Sequence, residues 1–143
     1  MPIGGDSSIV TYGRAPAPSE FQAAANAVRA YAWADARADG RVACALVIPG
    51  VAGQMASGNG VGAGATRTKK APSCAAVMTA LFRSQPLGYR AKLRLLRVTD
   101  ARLKDGHGFV IFRMPQTPRS YFPVVRVAGR WRVGAIGGST LFQ

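Results

Sequence analysis

From Val124 to Ile136, apolar residues alternate with arginines in the run Val-Val-Arg-Val-Ala-Gly-Arg-Trp-Arg-Val-Gly-Ala-Ile. Successive side chains of a strand point to opposite faces, so this spacing predicts a β-hairpin that turns at Ala128-Gly129, where the glycine supplies a positive φ. The alternation assigns Val125, Val127, Trp131 and Val133 to a buried face, with Trp131 as the core anchor. Arg126, Arg130 and Arg132 fall on a solvent-facing cationic face. Further strands are predicted over Tyr89–Val98 and Gly108–Met114. Between them Ala101–Lys104 leads into Asp105-Gly106, a strong turn signal. Lys92 or Arg94 would then join the arginine face from a neighbouring strand.

The first half of the chain has helical spacing instead. Ser19-Glu-Phe-Gln22 has the pattern of a capping box, with Ser19 as N-cap and Gln22 at the third helical position. The alanine-rich helix that follows is predicted to run to about Asp39 and to stop at Gly40. Phe21, Ala24, Val28, Tyr31 and Asp35 share one stripe of it. Periodicity alone cannot separate helix from strand over Arg41–Ile48, but its alanines favour a helix ending before Pro49. Gly50–Pro72 is glycine-rich and predicts a loop with a turn of helix around Val51–Met55. Ser73 then caps a helix from Cys74 to Arg83.

Residues 1–18 have the composition of a linker or loosely docked arm, and residues 19–143 that of a single domain. Helices first and strands last is the α+β pattern, here a curved antiparallel sheet wrapped around N-terminal helices.

Composition sharpens this picture at two points. Nineteen Lys and Arg against six Asp and Glu give a net charge of +13, a field that attracts polyanions. The charges are spread along the chain, and the one tight cluster, Arg67-Thr-Lys-Lys70, is too short to argue for a nucleic-acid arm. No apolar run approaches the roughly eighteen residues of a membrane span, and no basic and apolar leader follows Met1. Any membrane attachment is therefore expected through a segment ahead of Met1.

The second point is the cysteine pair, Cys44 and Cys74. A metal site is disfavoured by a single histidine, His107, and the lack of any Cys-x-x-Cys. Two buried thiols and a disulfide remain. The apolar helical settings of both cysteines, with a glycine-rich stretch between them, favour the disulfide and hence an oxidising compartment. Closing that loop is worth roughly 3–4 kcal/mol.

The layout resembles the nuclear-transport-factor-2-like superfamily, the ketosteroid-isomerase-like cone, over about residues 20–140. The resemblance rests on Ala38-Asp39-Gly40, Ala43-Cys44-Ala45-Leu46 followed by Pro49, Ser73-Cys74-Ala75-Ala76, and Val127-Ala-Gly-Arg-Trp-Arg-Val133. In particular it resembles small exported actinobacterial members with one disulfide. That implies an extracytoplasmic domain whose fold hosts isomerases, cyclases, secretion-system domains and non-catalytic modules alike.

Enzymes of this cone pair an Asp base with a Tyr or Asp oxyanion donor inside an apolar pocket. The candidates here are Tyr31 and Asp35, four residues apart on one helix face, together with Tyr121. The arginines beside Asp35 in sequence, Arg29 and Arg37, instead predict an ionised, partly exposed carboxylate. Asp39 is expected as a helix-end residue and His107 as a solvated hairpin-tip residue. Trp33 is expected to flank its helix. Gly58–Gly64 lacks the preceding strand and following Lys-Ser or Lys-Thr of a phosphate loop. No cofactor or metal is called for.

The leading expectation is a non-catalytic exported envelope domain that binds an anionic polymer or a protein partner, as a monomer or weak dimer. An isomerase or cyclase taking a small apolar ligand in the cone, and an assembly domain of a conjugation or type IV secretion system, are the alternatives. Nucleic acid is disfavoured, because Tyr121 and Phe122 beside Arg119 form the only aromatic and basic patch.

Overall fold

The structure, a computed structural model, describes residues 7–56 and 73–141. Among them are six helices: α1 (Ser7–Thr11), α2 (Pro18–Ala36), α3 (Gly40–Leu46), α4 (Pro49–Ala56), α5 (Cys74–Arg83) and α6 (Leu87–Leu93). Five strands follow: β1 (Arg97–Lys104), β2 (His107–Arg113), β3 (Ser120–Val127), β4 (Arg130–Val133) and β5 (Ser139–Thr140). The strands form one open antiparallel sheet of order β1-β2-β3-β4, with the short β5 also pairing with β3. This is the α+β arrangement that helices-then-strands predicts.

Helix α2 starts two residues earlier than the capping-box reading places it. Ala17 is the N-cap and Pro18 the first helical residue, where a missing N–H costs nothing. No side chain caps this end, so the Ser19/Gln22 box is not used. At the other end the helix stops at Ala36, not Asp39, and Ala38 turns the chain at φ 54°. Gly40 is therefore not the stop but the first residue of α3, whose N-cap is Asp39. A glycine is needed there because a Cβ would run into the Ala75 carbonyl and Thr79 of α5. The close approach is fixed by a hydrogen bond of 3.0 Å from the Gly40 N–H to Thr79 Oγ1. Ser73 caps α5 as expected, accepting from the Ala76 N–H at 3.1 Å.

The disulfide is formed. Cys44 in α3 and Cys74 at the start of α5 are joined across 30 positions, with their Cα atoms 6.1 Å apart. Residues 57–72, including Arg67-Thr-Lys-Lys70 and the Gly58–Gly64 run, lie outside the described residues. Within the arm of residues 1–18, α1 seats the buried Ile9 on the sheet, and Arg14 bridges to Leu103 in β1.

Two predicted strands need correction. Tyr89–Leu93 is not strand but the second half of α6, so Lys92 lies on a helix and Arg94 is its C-cap. Pro86 opens that helix as its N-cap, and Leu93 and Leu96 turn inward at a three-residue spacing, a helical signal that the alternation of Leu93 and Leu95 obscures. The strand proper begins only at Arg97.

The Ala128-Gly129 hairpin forms, with φ of 52° and 79° at its two turn residues, as does the Asp105-Gly106 hairpin with 52° and 76°. The structure differs from the predicted facing of the first. A two-residue turn pairs its flanking residues directly, so Val127 opposes Arg130 and Arg126 opposes Trp131. Directly opposed residues share a face. Arg126 therefore shares the face of Trp131 and Val133, its guanidinium 5.6 Å from the Trp131 ring. Arg130 and Arg132 lie with Val125 and Val127 on the other face. Arg132 is half-buried and donates to the Ala45 carbonyl. The single cationic face of Lys92, Arg94, Arg126, Arg130 and Arg132 does not exist.

The core sits between α2 and the inner face of the sheet, where Tyr31, Phe82, Val110, Phe112, Phe122, Val124 and Val133 are buried. Tyr31 meets Phe82 and Phe122 edge-on, and Phe112 stacks on Phe122 at 5.3 Å. Trp131 is buried here, as an anchor should be. The other face of the sheet carries a smaller cluster of Ile9, Ile111 and Leu141 with Phe109 and Tyr121 packed against it.

Candidate functional site

The α2 stripe of Ala24, Val28, Tyr31 and Asp35 faces the core, which carries Asp35 inside with it. Asp35 is 4% exposed, so the expected partly exposed, paired carboxylate is overturned. Neither arginine near it in sequence reaches it. Arg29 donates to Asn26 Oδ1 at 3.1 Å and Gln22 Oε1 at 3.4 Å, while Arg37 lies 3.9 Å from Asp39. Asp35 is instead met by groups that follow α5, namely Gln85, Tyr89 and Arg90.

Burial pushes the Asp35 carboxyl up to about 7, against the opposing pull of the Arg90 guanidinium and a hydrogen bond from Gln85. The Tyr31 and Tyr89 hydroxyls are raised as well, by burial first and then by the Asp35 charge. Asp35 Oδ1, Gln85 Oε1 and Arg90 Nε are buried without a hydrogen-bond partner. Arg90 does donate through Nη2 to the Ala36 carbonyl at 3.2 Å, closing the C-terminal end of α2.

A perturbed acid of this kind is a reasonable candidate for acid–base chemistry. Its surroundings do not assemble a site. The Tyr31 hydroxyl is committed to the Ile136 carbonyl at 2.7 Å. Tyr121 is half-buried on the opposite face of the sheet from Phe122 and Tyr31, with its ring against Phe109, and cannot converge with Asp35. None of the clefts described below is lined by Tyr31 or Asp35. His107 is exposed at the start of β2, beside the Asp105 carbonyl at 3.2 Å, as a turn residue should be.

Open, charged geometry lies on the helical surface. Where the α2–α3 turn meets α5, a cleft of about 660 Å³ is lined by Arg37, Arg41 and Arg83 with Thr79 and one acid, Asp39. That acid is already engaged, since Asp39 Oδ1 accepts from the Val42 N–H at 3.1 Å and its other oxygen lies 3.9 Å from Arg37. Among the described residues Arg41 and Arg83 have no carboxylate partner. The cleft lies over the close α3–α5 contact at Gly40, and Cys44–Cys74 ties the same two helices together, so the guanidinium groups stand on a stapled base. A second cleft of about 760 Å³ opens where β1 begins and β2 ends, lined by Arg97 and Arg113, which oppose each other across the strands, with Leu95, Thr99 and Thr117.

Sequence reasoning missed both clefts. Arg37 and Arg41 were visible four apart, but Arg83 comes from a helix some forty positions later. Their meeting depends on the α3–α5 packing that only Gly40 and the disulfide hint at.

Among the described residues no group of His, Cys, Asp and Glu is placed to hold a metal ion, and no helix is long and apolar enough to cross a membrane. No family model, curated protein or solved structure matches this chain.

Proposed function

We propose that this chain is a non-catalytic extracytoplasmic binding domain that takes an anionic polymer, rich in phosphate or carboxylate, into the cleft between α3 and α5. One observation carries the reading: Arg37, Arg41 and Arg83 line one open cleft whose single acid is already bonded. Guanidinium groups suit such a ligand because each presents a planar fork of donors to an oxyanion. The net charge of +13 adds a long-range attraction for the same ligand class. The disulfide supports an oxidising compartment. The packing of α2 against one face of a four- to five-stranded sheet is consistent with the cone of the nuclear-transport-factor-2-like superfamily, which we propose as the fold family.

Titration with a soluble polyphosphate, followed by calorimetry at low and moderate salt, tests this. Arg41→Glu together with Arg83→Glu is expected to weaken binding at least tenfold, whereas Arg130→Glu on the β3–β4 hairpin, which does not line the cleft, has a small effect. Equal losses from both variants would reduce the cleft to general basicity.

The enzyme reading retains one supporting observation, the buried Asp35 whose carboxyl is raised to about 7. None of the clefts described above is lined by that carboxyl, and the Tyr31 hydroxyl is committed to the Ile136 carbonyl, so this reading stands second.

A further inference from the structure

We propose that the α6 face docks on an anionic lipid bilayer, through a surface that adjoins the polymer cleft at Arg37 and does not need Arg41 or Arg83. Exposed positions of α6 and its C-terminal extension are Leu87, Gly88, Ala91, Arg94 and Leu95, a one-turn spacing that forms a single stripe. Apart from Arg94 that stripe is apolar, the reverse of what a solvent-facing helix side carries. Leu87 is 77% exposed and Leu95 61%, the two most exposed large apolar side chains among the described residues.

Trp33 of α2 extends the same surface. It is 46% exposed, with the Arg37 guanidinium 5.9 Å and the Arg94 guanidinium 5.7 Å from its ring. Arg94 lines both a cleft of about 370 Å³ shared with Leu87 and Leu95 and one of about 250 Å³ shared with Trp33, which makes the three apolar side chains parts of one surface. Neither cleft, nor the Arg97–Arg113 cleft that Leu95 also borders, is lined by an acid. From Arg83 to Arg97 the chain holds no Asp or Glu.

This combination selects the occupant. Leucines and a tryptophan ringed by arginines match a bilayer interface, where apolar side chains enter the acyl boundary and guanidinium groups meet lipid phosphates. A soluble polyanion would gain nothing from Leu87 and Leu95. A second copy seated face to face would bring Arg94 and Arg97 against their own equivalents, with no acid on the surface to pair them. Membrane contact thus need not depend wholly on a segment ahead of Met1.

The test is vesicle sedimentation and tryptophan emission with phosphatidylglycerol–phosphatidylcholine vesicles and with phosphatidylcholine alone. Trp33 reports directly, because Trp131 is buried at 8% exposure. Expected are binding to the anionic vesicles only, a blue shift that vanishes in Trp33→Phe, and at least a tenfold loss in the Leu87→Ser/Leu95→Ser double variant. Both leucines are exposed, so that variant keeps the wild-type circular dichroism and melting temperature, and its charge is unchanged. Wild-type vesicle binding by the leucine variant would overturn the proposal, as would a blue shift reproduced in full by soluble polyphosphate. A concentration-dependent dimer abolished by the same two serines would overturn it in favour of self-association. Arg41→Glu/Arg83→Glu should leave the leucine-dependent blue shift in place, which separates this surface from the polymer cleft.

Discussion

Two regions of this molecule concentrate ionisable chemistry, and they stand in opposite relations to water. Around Asp35 a carboxyl, a guanidinium, an amide and two phenols are packed under α2, and of these groups only Arg90 lines one of the clefts described above. Around Arg41 three guanidinium groups line an open cleft on a rigid base. A perturbed ionisable group marks a functional site only when something can reach it. By that measure we read the interior cluster as a feature of stability and propose the arginine cleft as the place where a ligand acts. The first should therefore govern folding and its pH dependence, the second binding.

The largest effect expected bears on the base of the cleft. Reduction of Cys44–Cys74, or replacement of both by Ser, should lower the unfolding free energy by about 3–4 kcal/mol. Denaturant unfolding with and without reductant reads this directly. If reduction leaves the midpoint unchanged, the cleft is held by helix packing alone.

A smaller effect is expected inside. Asp35 binds its proton more tightly folded, at about 7, than unfolded, near its ordinary value of 3.8. Between these values the native state holds the proton and the unfolded chain does not, so stability falls as pH rises across that window and is level above it. Each unit of the window corresponds to about 1.4 kcal/mol, so going from pH 5 to pH 8 should lose about 2–3 kcal/mol. Asp35→Asn should abolish that loss, as unfolding of the two proteins at both pH values would show. A slope unchanged in the variant would mean that the carboxyl reaches water or a partner after all.

The parts of this structure that sequence made legible are those set by one local cause. Ala128-Gly129 and Asp105-Gly106 announce their turns, Ser73 announces its helix, and the two cysteines announce their bond. The errors arise where a second constraint decides. Alternation alone puts Arg126 on the face opposite Trp131, although the two-residue turn pairs those residues directly. The α6 segment mixes Leu93-Arg-Leu95 alternation with a helical Leu93–Leu96 spacing, and tertiary contact with α2 settles it. For Asp35, two sequence signals disagreed. The stripe through Tyr31 pointed inward, nearby arginines argued outward, and the stripe prevailed because those arginines are engaged with Asn26, Gln22 and Asp39. Arg83 joining Arg37 and Arg41 could not be read at all, since it depends on how α5 docks against α3.

The central claim, that the open arginine cleft and not the buried carboxyl is the polymer-binding region, is tested most directly by mapping amide chemical shifts while soluble polyphosphate is added. The account predicts dose-dependent, saturable shifts at Gly40, Arg41, Thr79, Ala80 and Arg83, with Tyr31, Asp35 and Gln85 unmoved. Shifts centred on Asp35, Gln85 and Arg90, with the cleft silent, would contradict it.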